Sequence, residues 1–183
     1  MKVAIIVGHD SYAQGASNKM GRTEYQFNSE LALRIEQYLY KEGFTVEIVF
    51  RDGTSYSQLP RKVNKTHANL AISLHCNAFN MQASGSEVLH YYRSSKSKFL
   101  AQCLQKQIVT TLGLHDRGLK PVNVAYKGKA GDRGGHLCKR TNMPCVIIEP
   151  FFIDNDTDLA LAESKIDVLA KAIAQGTSLY ERK

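Results

Sequence analysis

The chain has no cysteine pair spaced for a zinc finger or a redox motif; Cys76, Cys103, Cys138 and Cys145 are scattered through its 183 residues. Nothing therefore demands an oxidising compartment, and buried free thiols are expected. No apolar run approaches the about 20 residues that cross a bilayer, which argues against membrane insertion. At the N-terminus one lysine precedes only five consecutive apolar residues, Val3 to Val7. A secretory leader needs about 7–15, so this run is expected to be a first strand and the protein to be made in the cytoplasm. Internal repeats, low-complexity tracts and Pro/Gly/Ser-rich linkers are missing too, which leaves one domain over residues 1–183 with no separate second module expected. Lysines and arginines form no dense block, and no RNP, helix-turn-helix or zinc-knuckle signature is present, so nucleic acid is not an expected partner.

What is present is an excess of positive charge, 24 Lys plus Arg against 17 Asp plus Glu, or +7. Such an excess suits a polyanionic environment, an anionic cell wall among them. Hydrophobic content of 43% and charged content of 22% are ordinary for a globular domain, and the length allows a substantial core.

Strand-like and helix-like segments alternate. Val3–Val7, Thr45–Phe50, Leu70–Leu74, Ser86–Tyr92 and Cys145–Glu149 read as strands. Phe27, Leu31, Ile35 and Leu39 form a helical stripe over Glu24–Lys41, with Thr23 as N-cap and Gly43 as the stop. Leu59–Ala68, Lys98–Leu112 and Ala162–Leu179 read as further helices, and Leu114–Arg140 as loop-rich. This alternation predicts an α/β fold, a mostly parallel sheet of five or six strands with helices on both faces. The Ser86 strand, reached through a loop alone, is expected to be an antiparallel edge.

Three of the apolar runs end on residues that can bind a metal or move a proton: His9, His75 and Glu149. In open α/β sheets, ligands bind beyond the carboxyl ends of the strands. His9 and His75 lie 66 positions apart without an H-E-x-x-H motif, so spacing alone says little about zinc. Together with Glu24, which opens a helix, they make a His₂Glu set of the kind that holds catalytic zinc. Glu149 would then be a carboxylate left free to take a proton.

The segments Val7-Gly8-His9, Glu24, Arg61 with Ala68-Asn69, Ser73-Leu74-His75-Cys76-Asn77-Ala78, Gly85-Ser86-Glu87 and Val146 to Asn155 follow one another in order. In this the chain resembles the zinc-dependent N-acetylmuramoyl-L-alanine amidases of the amidase-3 type, over essentially its whole length. The resemblance implies one zinc ion per chain held by His9, Glu24 and His75, with Glu149 as the catalytic carboxylate. It implies a peptidoglycan substrate, cut at the amide between the lactyl group of N-acetylmuramic acid and L-alanine. A monomeric phage endolysin, released to the wall after synthesis, fits these expectations best; a bacterial enzyme without a leader and a catalytic domain cut from a longer chain stay open beside it.

Other readings remain open at this point. A zinc peptidase cutting within the stem peptide could use the same metal site. A non-enzymatic basic module that binds wall or nucleic acid could use its histidines structurally. Asp10, where the family has glycine, is either a partner of a ligating histidine or a loop aspartate. Glu87 supports the site or ends a strand. Asn77 is a candidate for orienting the His75 loop, and Arg117 a candidate contact for substrate carboxylates. Arg61 and Asn69 are expected to make structural hydrogen bonds. His67, His90, His115 and His136 are expected at surface or loop positions. Cys76, on a strand, should point away from His75, and Pro150 should hold the backbone extended after Glu149.

Overall fold

A computed structural model describes residues 1–123 and 132–182. Six strands and six helices follow in chain order: β1 Lys2–Val7, α1 Glu24–Lys41, β2 Thr45–Val49, α2 Leu59–Asn64, β3 Leu70–Leu74, β4 Ser86–Tyr91, α3 Ser95–Leu112, β5 Asp116–Val122, α4 Gly135–Arg140, β6 Cys145–Glu149, α5 Asp156–Ser164 and α6 Ile166–Glu181. The sheet order is β2-β1-β3-β6-β4-β5. The first four run parallel; β4 is antiparallel to β6 and parallel to β5. The carboxyl ends of β1, β3 and β6 and the amino end of β4 therefore meet at one edge.

Alternation along the strands builds two cores. Val3, Ile5, Val7, Ile72, Leu74, Val146 and Ile148 face α1, α3, α5 and α6, against Phe27, Leu31, Leu104 and Ile173. Ala4, Ile6, Ala71, Leu89 and Ile147 face α2 and α4, against Leu59, Val63 and Leu137. Helices thus cover both faces, as expected.

Local chemistry explains the element ends. Thr23 and Gln26 form a capping box at the start of α1, satisfying N–H groups that a first helical turn leaves unpaired. Pro60 stands in the first turn of α2, where its missing N–H costs nothing.

Several expectations need correcting. The Ser86 strand is antiparallel but internal; the edge is β5, which forms within the stretch read as loop-rich, as does α4. Asp116–Val122 has a mostly half-exposed burial pattern, so it lacks the apolar run that marks a buried strand. The remainder of that loop-rich stretch, 124–131, lies outside the described residues. The final helix begins earlier and breaks at Lys165 into α5 and α6. Helix α3 begins at Ser95, capped by Ser94, three residues before the expected start at Lys98. Helix α2 stops at Asn64, short of His67, whose φ is +51°.

Candidate metal centre

His9, Glu24 and His75 come together at the strand-end edge, each offering a ligand atom within 4.8 Å of the others. Glu24 Oε2 stands 3.3 Å from His9 Nε2 and 3.4 Å from His75 Nδ1. Donors about 2.0–2.1 Å from a tetrahedral ion lie about 3.3–3.4 Å apart, so this spacing suits such an ion. Two imidazoles and a carboxylate also match zinc's preferred donors.

Each ligand is aimed by backbone. His9 follows β1 with φ +66°, in the left-handed region that a non-glycine residue rarely adopts. His75 follows β3. Glu24 is the first residue of α1, so it reaches the site from the opposite layer. Its Oε1 accepts the Ala16 N–H at 2.9 Å and its Oε2 the Cys76 N–H at 3.0 Å. Burial works against charge on Glu24, but the hydrogen bonds from His75 and His9 outweigh it and hold the carboxyl far below its usual range. Two glycines make room. A Cβ on Gly8 would lie 2.6 Å from the His75 ring, and one on Gly15 2.6 Å from the His9 ring and 2.8 Å from Glu24 Oε1.

Glu149 ends β6 on the same face of the sheet as His75 and lines the same cleft of about 440 Å³. Its Oε2 is buried without a hydrogen-bond partner among the described residues. Burial first, then the charges of Glu24 and Glu87, push its carboxyl well above the ordinary range, against an opposing pull from Arg133. The cleft thus holds one carboxylate kept ionised among imidazoles and another that, without a cation, holds its proton more tightly than usual.

Glu87 pairs in register with Glu149 across β4 and β6. It is buried, yet it meets Arg117 Nε at 3.0 Å, Lys120 Nζ at 3.9 Å and Arg133 at 2.6 Å. Burial opposes its charge, but the Asn77 amide and the two guanidiniums outweigh it and lower its pKa. Glu87 therefore supports the site from an internal strand. Arg117 turns its Nε to Glu87 and lies over the Phe152 ring, and it does not line the cleft.

The other candidates divide. Asp10 partners neither imidazole: its carboxylate accepts from Tyr12 and Ala13 N–H and pairs with Arg51 at 2.8 Å. With Ser11 on Asp52, this ties the His9 loop to the segment after β2. Asn77 donates its N–H to Phe151 and accepts that of Ile153, clasping the His75 loop to the chain beyond β6. Asn69 Oδ1 accepts the Lys2 N–H, a structural bond. Arg61, expected to make one as well, is exposed on α2 and makes no side-chain hydrogen bond among the described residues. Cys76 is buried toward Asn28 of α1, opposite His75, and burial raises its thiol pKa, so it remains a protonated core residue. His67 and His115 are exposed, and His136 Nε2 faces the Ser57 carbonyl at 3.2 Å. His90 corrects an expectation: it is 4% exposed, buried on β4 because that strand is internal. Arg51 and Arg133 were not singled out from sequence, since their acidic partners are distant in the chain.

An α/β domain carrying a metal-capable His–Glu–His centre at its strand ends defines the class. The chain belongs to the N-acetylmuramoyl-L-alanine amidase family, whose model matches residues 3–178. It is 29% identical over 183 residues to the N-acetylmuramoyl-L-alanine amidase LytC of Bacillus subtilis, covering 96% of this chain and 34% of that relative. The chain thus spans about a third of that relative's length. Among solved structures, an N-acetylmuramoyl-L-alanine amidase from Clostridium difficile 630 superposes with a TM-score of 0.84 at 26% identity, covering 100% of this chain and 97% of the other. The catalytic domain of the CD27L endolysin targeting Clostridia Difficile superposes with a TM-score of 0.82 at 28% identity, covering 98% and 97%.

Proposed function

We propose that this domain is a zinc-dependent peptidoglycan hydrolase that cuts the amide between N-acetylmuramic acid and the L-alanine of the stem peptide. The observation that carries the reading is the Oε2 of Glu149, buried and without a partner among the described residues, in the same cleft as the His9–Glu24–His75 cluster. Held by those three residues, one zinc ion per chain would supply a Lewis acid for the scissile carbonyl and acidify a water. With a cation bound beside it, Glu149 would ionise, take the proton from the attacking water and return it to the departing amine nitrogen of L-alanine. Its raised pKa favours that return, because an amide nitrogen leaves only once protonated. Glu87 and its cations hold the β4 end that flanks Glu149.

The likeness to the CD27L catalytic domain supports a lytic role, with a monomeric protein made in the cytoplasm and reaching the wall on release. Expression in a bacterial cytosol should then be tolerated until the membrane is permeabilised, whereupon the cells lyse.

Digestion of purified peptidoglycan, with mass spectrometry of the products, tests the bond. New L-alanine amino termini with intact glycan are expected. Amines released only from within the stem peptide would make the protein a peptidase. His75→Ala should lose both zinc and activity, and full zinc in that variant would overturn the ligand assignment.

A further inference from the structure

The net charge is not spread evenly over the fold. Residues 53–86 contain Arg61, Lys62 and Lys65 and no acid; residues 133–148 contain Arg133, Lys139 and Arg140 and no acid. These two stretches carry +6 of the chain's +7, and they supply the two helices, α2 and α4, that lie on the cleft face of the sheet. Both helices end on basic turns, Arg61 and Lys62 in one and Lys139 and Arg140 in the other. Their ends are tied together: Asn64 Nδ2 donates to the Arg140 carbonyl at 3.0 Å, and Asn64 Oδ1 accepts the Asn142 N–H at 2.8 Å.

A helix dipole accounts for a cation in a last turn, but not for the lack of any acid to answer it. Among the described residues, none of Arg61, Lys62, Lys65, Lys139 and Arg140 has a carboxylate within 4.0 Å. Lys62 alone is anchored, to the Phe50 carbonyl at 2.7 Å. Thr54, Gln58, Arg61, Lys62 and Lys65 line a shallow open groove of about 450 Å³. Its charged groups are all cationic.

We propose that the α2–α4 face is a docking surface for a linear phosphodiester polymer attached to the wall glycan. This rests on the wall-hydrolase reading above, because a polymer joined to the substrate would hold the cleft beside it. Charge complementarity commits the occupant to a repeating anion. The groove has no aromatic side chain, the platform on which single-stranded nucleic acids stack their bases. A sugar- or glycerol-phosphate chain needs no such platform.

The test uses soluble glycerol-phosphate polymer as probe and reads binding directly, so it does not depend on amidase activity. Five phosphate contacts at a slope of about 0.7 each would weaken binding roughly a hundred-fold between about 50 and 200 mM salt. The patch variant carries Arg61→Gln, Lys65→Gln, Lys139→Gln and Arg140→Gln. A control loses equal charge on the opposite layer through Lys41→Gln, Lys98→Gln, Lys106→Gln and Lys171→Gln, four exposed lysines of α1, α3 and α6. The patch variant should lose most of its binding and salt dependence while its thermal melt stays in place; the control should bind like wild type. Equal loss in both variants would assign the binding to net charge and overturn the proposal. So would a patch variant that binds normally, or wild type binding a single-stranded oligonucleotide more tightly than the wall polymer. A protein that binds the polymer but releases no L-alanine termini would keep the docking surface and reject the amidase reading.

Discussion

Glu149 is strained electrostatically in a way that stability measurements can read. With its carboxyl raised by burial and by the charges of Glu24 and Glu87, the native protein keeps a proton that the unfolded chain releases in the ordinary carboxylate range. Native stability therefore falls as pH rises through that window. Glu149→Gln has no proton to lose. Without metal, this variant should melt with wild type in acid and above it toward neutral pH, by thermal denaturation across a pH series. A gap that did not widen with pH would mean an ordinary solvated carboxylate. The same variant should remain zinc-loaded and lose about 10²–10⁴-fold in turnover if Glu149 is the proton carrier. At this scale the sequence was readable where chemistry coincides with a strand end, as at His9, His75 and Glu149. The Glu87 cluster was not, because its cations come from Arg117, Lys120 and Arg133, well separated along the chain.

Helix α1 ties stability to the site, since its first residue is Glu24 and its cap is the residue before. Thr23→Ala removes a cap worth about 1 kcal/mol, or a few degrees of melting temperature for a domain of this size. Zinc affinity, followed by competition with a chromophoric chelator, should weaken alongside. Unchanged affinity would show that the Ala16 and Cys76 N–H groups alone hold the Glu24 carboxylate. Burial in the larger core makes α1 legible from its stripe of Phe27, Leu31, Ile35 and Leu39. The edge strand β5 and the short helix α4 were obscure for the opposite reason. Six or seven residues with few buried apolar side chains leave little periodicity to read.

Over the whole molecule, a bound ion would join β1, α1 and β3, elements from both layers. An ion at a thousand times its dissociation constant stabilises by about 4 kcal/mol, so chelation should lower the melting temperature by roughly 10 °C. Glu24→Gln should melt at a temperature that chelators no longer change. A wild-type melt unmoved by chelation would remove the metal from the stability of the fold.

The two cores are unequal, with 30 buried side chains against the long helices and 14 against α2 and α4 among the described residues. The thick layer holds the reserve of stability; the thin one frames the cleft. Substitutions that mainly destabilise are purged only below a threshold, so exposed positions of α2 and α4 should tolerate sequence drift that the stripe of α1 cannot. In a library scored for soluble folded protein, variation confined to the outer faces of α2 and α4 should survive far more frequently than variation at Leu31, Ile35 or Leu104. The domain could in that way change what it docks against while keeping the chemistry at its strand ends intact.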